Sequence, residues 1–255
     1  MEKLIVIVFE EQDKAQAGLR ALRELDRDGA VSLFEVQVLA KEPNGSVRVI
    51  QNPESLDFPV IGVITAVGML VGILGGPAGA LGGAAAGALI GSIVKLEHAG
   101  VTDEFVRDVG TALAAGKFAV VADICEDWMT PLDTRMEALG GVVFRRVRSH
   151  VKRMHHDLDV AAHRAELEQL KVERAQARAE HLGRIDAKID RLGKKLERAL
   201  LRERSNILLQ EEERDARIRV LKAKAERSKE EVRRRIETRI AELQREYEQQ
   251  HTDAA

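Results

Sequence analysis

Leu4–Phe9 is an unbroken apolar run, the pattern of a strand buried on both faces. Glu10–Asp13 then opens a helix in which Ala15, Leu19, Leu22 and Leu25 follow the helical period, and Asp28-Gly29 stops it. Val31–Ala40 has strand character, with Val36 and Val38 alternating against Glu35 and Gln37. Pro43-Asn44-Gly45 marks a tight turn, and Ser46–Gln51 returns as the partner strand. Beyond a long uncharged insert, Thr102 caps a helix over Asp103–Ala115 that places Phe105, Val109 and Leu113 on one face, with Gly116 at its end. Phe118–Ile124 is a second apolar strand. Thr130-Pro131 starts a short helix (Leu132, Met136, Leu139) that ends at Gly140-Gly141, and Val142–Val147 is the last strand. The order β-α-β-β-[insert]-α-β-α-β predicts an α+β fold, a ferredoxin-like split β-α-β sandwich with one extra element.

From His150 to Gln250 the period is helical throughout. The stretch has no Pro, Gly only at 183 and 193, and a composition dominated by Ala, Glu, Lys, Leu and Arg, as in a long helix or coiled coil. Leu182, Ile185, Ile189, Leu192, Leu196 and Ala199 recur at alternating steps of three and four, a coiled-coil seam. Arg214, Ile218, Leu221 and Ala225 make a weaker run, followed by Val232, Ile236, Ile240, Leu243 and Tyr247. Around Ser205–Glu213 the seam falters, so a stutter, a bend and a loop between two antiparallel helices all stay open. A single helix of this length spans roughly 150 Å and needs a partner helix.

The insert has a pattern of its own. Phe58–Val94 contains no charged residue, and Thr65 and Ser92 are its only hydroxyls. Its length is about twice the ~18 residues that indicate a transmembrane helix. Gly75-Gly76-Pro77 divides it near the middle and predicts a hairpin turn between two arms, Pro59–Leu74 and Pro77–Val94. Each arm spans roughly 24–27 Å, just short of a ~30 Å hydrocarbon core, so the pair reads as a short or re-entrant membrane hairpin. Gly75, Gly79, Gly83, Gly87 and Gly91 repeat every four residues, and Gly68 and Gly72 make one such pair on the first arm. On a helix that step leaves a smooth groove through which backbones approach closely. A hairpin also returns the chain to its starting side, so the two halves of the α/β domain can meet. A flexible linker would carry Ser, Asn and charges in place of Val60, Ile61, Val63, Ile64 and Leu70. Burial of the hairpin in a soluble homo-oligomer is the competing reading.

The expected organisation is therefore 1–57 and 96–149 as the halves of the α/β domain, 58–95 as the glycine-zipper hairpin, 150–250 as the coiled coil and 251–255 as a disordered tail. Leu4–Phe9, the Lys14–Gly29 helix, the Gly68–Gly91 block and Val101–Arg145 together resemble a bacterial family of predicted membrane proteins, domain of unknown function 1269. The likeness covers about the first 148 residues. It implies the insert-in-a-sandwich architecture and a place at the bacterial inner membrane with the soluble parts facing the cytoplasm, and it brings no catalytic residues.

Charge adds little direction. The chain has 40 basic and 42 acidic residues; from His150 onward 26 are basic and 22 acidic, which leaves 14 and 20 before it. Neither half has the one-sided charge of a nucleic-acid binder, and with aromatics at 3% a base-stacking surface is not expected. Cys125 stands alone, which excludes an internal disulfide and fits a reducing compartment, and Met1-Glu2-Lys3 leads straight into a run too short for a signal peptide.

Asp123, Glu126 and Asp127 cluster after the Phe118–Ile124 strand, where a ligand or metal could sit, though loop charges or caps explain them as well. Cys125 has no basic neighbour in sequence to activate it. His155, His156 and His163 lack metal-ligand spacing, and the glycine blocks lack the Lys-Ser/Thr of a P-loop and the dinucleotide fingerprint. Arg145, Arg146, Arg148, Lys152 and Arg153 form a basic cluster that could touch anionic headgroups or simply open a solvated helix. No catalytic constellation, cofactor site or metal site emerges. The expectation is a non-enzymatic, self-assembling membrane scaffold. Its partners would be the bilayer, further copies of itself and a protein on the coiled coil. A small-ligand sensor on the membrane is the alternative, and a pore is disfavoured because the insert has no ionisable residue to line it.

Overall fold

A computed structural model describes residues 2–50, 66–79, 104–177 and 179–252. Its strands are β1 (Glu2–Phe9), β2 (Val31–Lys41), β3 (Val47–Ile50), β4 (Phe118–Glu126) and β5 (Val142–Val147). Its helices are α1 (Gln12–Arg27), α2 (Ala66–Gly79), α3 (Glu104–Ala112), α4 (Thr130–Glu137), α5 (Arg148–Gln176), α6 (Ala179–Arg227) and α7 (Glu230–Thr252). The fold is α+β, with one five-stranded antiparallel sheet in the order β3-β2-β4-β1-β5. β4 therefore lies between the strands of the β1-α1-β2 unit, and β1 lies between those of β4-α4-β5. Asn44 and Gly45 (φ 82°) close the β2–β3 hairpin, where Asn44 Oδ1 accepts from the Ser46 N–H at 2.9 Å.

The two unbroken apolar runs become the two central strands because both sheet faces are covered. Ile5, Ile7, Phe9, Val120, Ala122 and Ile124 face α1 and α4. Leu4, Val6, Val8, Ala119 and Val121 face the other way, toward α2, α3 and the start of α5. Phe9 is held between two glycines: a Cβ at Gly18 or Gly141 would stand 2.5 or 2.6 Å from its ring.

α2 corrects the predicted hairpin turn. It runs through Gly75, Gly76 and Pro77 to Gly79, so the chain does not reverse there. Local breakers lose to tertiary packing, since Val67, Leu70, Ile73 and Leu74 bury against the sheet in the same cluster as Val47 and Val121. Lys41 Nζ also reaches from β2 to the Leu74 carbonyl at 3.2 Å, near the point where Pro77 contributes no N–H. The apolarity of this part of the insert is thus used in the protein core. Among the described residues, no helix is long and apolar enough to cross a membrane. The remainder of the predicted arms, 59–65 and 80–94, lies outside the described residues.

The helical region folds back twice. α6 continues through Ser205–Glu213, the place where a bend was open, and the reversals fall instead at Ala177 and at Ser228–Lys229. At the standard rise α6 is about 74 Å long. α7 reaches Thr252, two residues into the tail expected to be disordered; 253–255 lie outside the described residues.

Candidate functional site: a charged clamp at the base of the helical arm

The sheet face left open by α2, α3 and α5 is covered by the last part of α6 and by α7. The β2 ladder slips between Leu33 and Glu35, and Phe34 at this bulge packs with Cys125, Leu221, Ala225, Ile236 and Leu243. That apolar cluster is small, and charged side chains surround it.

Asp123 is the centre of the clamp. It sits inside β4 with 3% of its surface exposed. Arg148 Nε donates to its Oδ2 at 2.8 Å, and Arg217 donates to Oδ2 at 2.6 Å and to Oδ1 at 3.1 Å. Arg217 also lies 3.6 Å over the Phe34 ring and pairs with Glu2 at 2.6 Å. Burial by itself would raise the Asp123 carboxyl; Arg217 and Arg148 outweigh it and hold the group below its ordinary range. Glu213 of α6 accepts from both Arg148 and Lys152. Burial, with Arg148 and Arg217 adding to it, pushes Lys152 down to about 7, although Glu2 and Asp123 pull the other way.

Two further points fasten the helices. Lys224 Nζ bonds both carboxylate oxygens of Asp26, at 2.7 and 2.9 Å, and the Leu33 carbonyl at 2.6 Å. Arg239 is 2% exposed and donates to Ser32 Oγ (2.7 Å), the Gly29 and Ala30 carbonyls (3.2 and 3.3 Å) and Asp127 Oδ2 (2.9 Å). At the same end of the sheet Glu126 is held by Lys3 (3.0 Å) and Arg145 (2.7 Å), and Arg145 reaches Asp133 at 2.5 Å.

Each acid of the predicted ligand cluster therefore has a structural occupation. Asp123, Glu126 and Asp127 are engaged by Arg148, Arg217, Lys3, Arg145 and Arg239. The basic cluster read as a lipid contact is divided. Arg145, Arg148 and Lys152 are spent on internal ion pairs, Arg146 is partly buried in β5, and Arg153 is exposed. Cys125 is buried, which pushes its thiol up and away from a nucleophile's range. Burial lowers His155, His163 Nδ1 lies 2.7 Å from the Asp159 carbonyl, and the described residues hold no group of side chains suited to a metal ion.

The seam residues part company. Leu192 and Ala199 are buried, and Leu182, Ile185, Ile189 and Leu196 are half-buried. Their neighbours at 183–184, 186–188, 194–195 and 197–198 stay exposed. α5 packs on α6, buries Val160 and Leu170, and joins it near the tip through Arg174–Asp186 at 2.5 Å. Val232, Ile236, Ile240 and Leu243 instead belong to the cluster that seals α7 to the sheet. Gly68 and Gly72 lie half-buried on α2, where a Cβ at Gly72 would meet nothing within 4 Å. Gly75 and Gly79 are in the same helix, whereas Gly83, Gly87 and Gly91 lie outside the described residues.

Sequence reasoning passed over Glu213, Arg217, Lys224 and Arg239. A signal existed, because Asp123 interrupts an otherwise apolar strand and Arg239 lies on the stripe of Ile236 and Leu243, at steps of three and four. No curated protein and no solved structure matches the chain. Residues 62–158, from the insert to the first third of α5, match the family described as "Protein of unknown function (DUF1269)".

Proposed function

We propose that the protein is a non-catalytic, self-assembling scaffold: an α/β base that carries a helical arm and meets a membrane through its glycine-patterned segment. The strand order, with β3 as an added edge strand, supports reading the base as a ferredoxin-like sandwich, and the α5–α6 pair reads as a short intramolecular coiled coil available to a partner. The observation that carries the reading is the clamp. The acids that could have served a ligand are committed to fixing α5, α6 and α7 on the sheet, an investment in rigid presentation of the arm.

The membrane contact rests on residues 80–94, which have no charge and keep the four-residue glycine step, while α2 belongs to the base. The test is flotation of the full chain with liposomes, beside a variant whose residues 80–94 are replaced by a Gly/Ser linker with α2 left intact. Flotation of the natural chain, lost in the variant, is the expected result. A chain that stays unbound in both forms ends the membrane reading.

One observation favours a second reading, a soluble homo-oligomer that buries the segment. Val67, Leu70 and Ile73 of α2 already face protein, so the glycine groove would continue as a protein contact. A monodisperse oligomer without detergent, reduced to monomer by the same linker replacement, would decide for it.

A further inference from the structure

The corner between α6 and α7 has no residue that demands a corner. Only Ser228 and Lys229 lie outside the two helices, and residues 213–252 contain neither Gly nor Pro. Strong helix breakers are thus absent where the chain turns back on itself. The apolar pattern also ignores the break. Ile218, Leu221 and Ala225 are followed seven residues later by Val232, then Ile236 and Leu243, so the stripe keeps its phase as it would along one continuous helix.

Little holds the corner locally. Ser228 N bonds Ala225 O at 3.2 Å and its Oγ bonds Lys224 O at 2.7 Å. Arg233 Nε caps the Ala225 carbonyl at 3.1 Å, an acceptor that the Lys229 N–H would take in a straight helix. What holds α7 back is its seat, formed by the base together with Leu221 and Ala225 of α6. Ser32 Oγ, the Gly29 and Ala30 carbonyls and Asp127 receive Arg239, and Phe34 and Cys125 share the apolar cluster of Ile236 and Leu243. Every acceptor for Arg239 comes from the α/β base and none from α6. The seat is complete for any α7, whichever chain supplies it.

We propose that α7 is exchangeable between two copies of this chain. The Ser228–Lys229 corner straightens, α6 and α7 become one helix, and the Ile236, Arg239 and Leu243 face of each copy fills the seat on the other. Exchange of an identical element at a short hinge reuses contacts that already exist, so it needs no new surface. The inference does not depend on whether the glycine-patterned segment meets lipid.

The test uses the full chain and measures its dimerisation constant by size-exclusion chromatography with light scattering. Ser228→Ala with Lys229→Ala favours the straight helix and is expected to tighten dimerisation about tenfold, whereas Lys229→Pro blocks it. A reporter follows the route of exchange. Val232 Cβ is 3.4 Å from the Cβ position of Gly29, at the short edge of disulfide range, and the Gly29 φ of 72° makes a Cys there strained; oxidised Gly29→Cys/Val232→Cys links two chains in an exchanged dimer and one chain in a monomer. Covalent dimers on a non-reducing denaturing gel are the expected result. Equal dimerisation constants for the natural chain and both corner variants overturn the proposal, and so does a dimer in which every reporter disulfide lies within one chain. If the reporter variant does not fold, the comparison of corner variants decides alone.

Discussion

The two ends of α6 are chemically alike and structurally opposite. Residues 182–199 line a narrow seam in which Leu192 and Ala199 are buried and the intervening charges remain in water, as in the pair Asp190–Lys194. Residues 213–225 lie under the sheet, where Arg217 is nearly enclosed by Asp123, Glu2 and the Phe34 ring. A charge in water loses little when its partner is removed. A buried guanidinium left alone loses most of what made its burial tolerable.

That contrast is most open to attack at Asp123. Asp123→Ala takes from Arg148 and Arg217 the buried anion they share, leaves them the more exposed Glu2, and should cost about 3–5 kcal/mol in urea unfolding. A loss below 1 kcal/mol would place the clamp in the same class as the exposed pairs. Next is Arg239→Ala, which strips a donor from four acceptors and should cost about 2–3 kcal/mol. Hydrogen exchange should show the loss as faster exchange in α7 and at the start of β2, with α5 unchanged. Gly141→Ala tests the base itself: its methyl meets a Phe9 ring that Gly18 blocks on the other side, and about 1–3 kcal/mol of overpacking should follow.

The pH response separates the ends of α6 further. Lys152 is lowered to about 7 in the folded protein from an ordinary 10.5. Between those values the unfolded chain holds a proton that the folded one lacks, so stability should rise with pH across that window. Lys152→Met should flatten that rise, measured as the urea midpoint at pH 7 and pH 9. On the acid side the slope has the same sign. Asp123 is held below its ordinary value, so its contribution is present above that value and fades as pH falls through the lowered one. The smallest effect belongs to the arm: Asp190→Ala should change stability by no more than about 0.5 kcal/mol.

Legibility followed the range of the interaction. Leu4–Phe9 and Phe118–Ile124 announced buried central strands because burial on both faces writes itself as an unbroken apolar run. The Asn44-Gly45 hairpin was equally local. The turn at Gly75–Pro77 was misplaced because local breakers were weighed without the sheet that α2 packs against. The clamp joins residues 94, 112 and 198 positions apart, and no pattern in a window shows that Asp123 waits for Arg217, Asp127 for Arg239, or Asp26 for Lys224. The basic residues at 145–152 showed charge alone, and charge is shared by a lipid contact and an internal ion pair.

The strand order also has a meaning in time. β1 precedes the other strands in the chain and, among the described residues, pairs with β4 and β5, whose residues begin at 118 and 142. Six consecutive apolar side chains therefore leave the ribosome more than 100 residues before the strands that receive them. Asp123 follows with its own delay, since Arg217 is made 94 residues later. Contacts this distant close late, so β1 stays without its partner strands until residues 118–147 have been made. Placing β1 after β5 in a circular permutant would shorten that wait while leaving every pairing of the finished sheet in place.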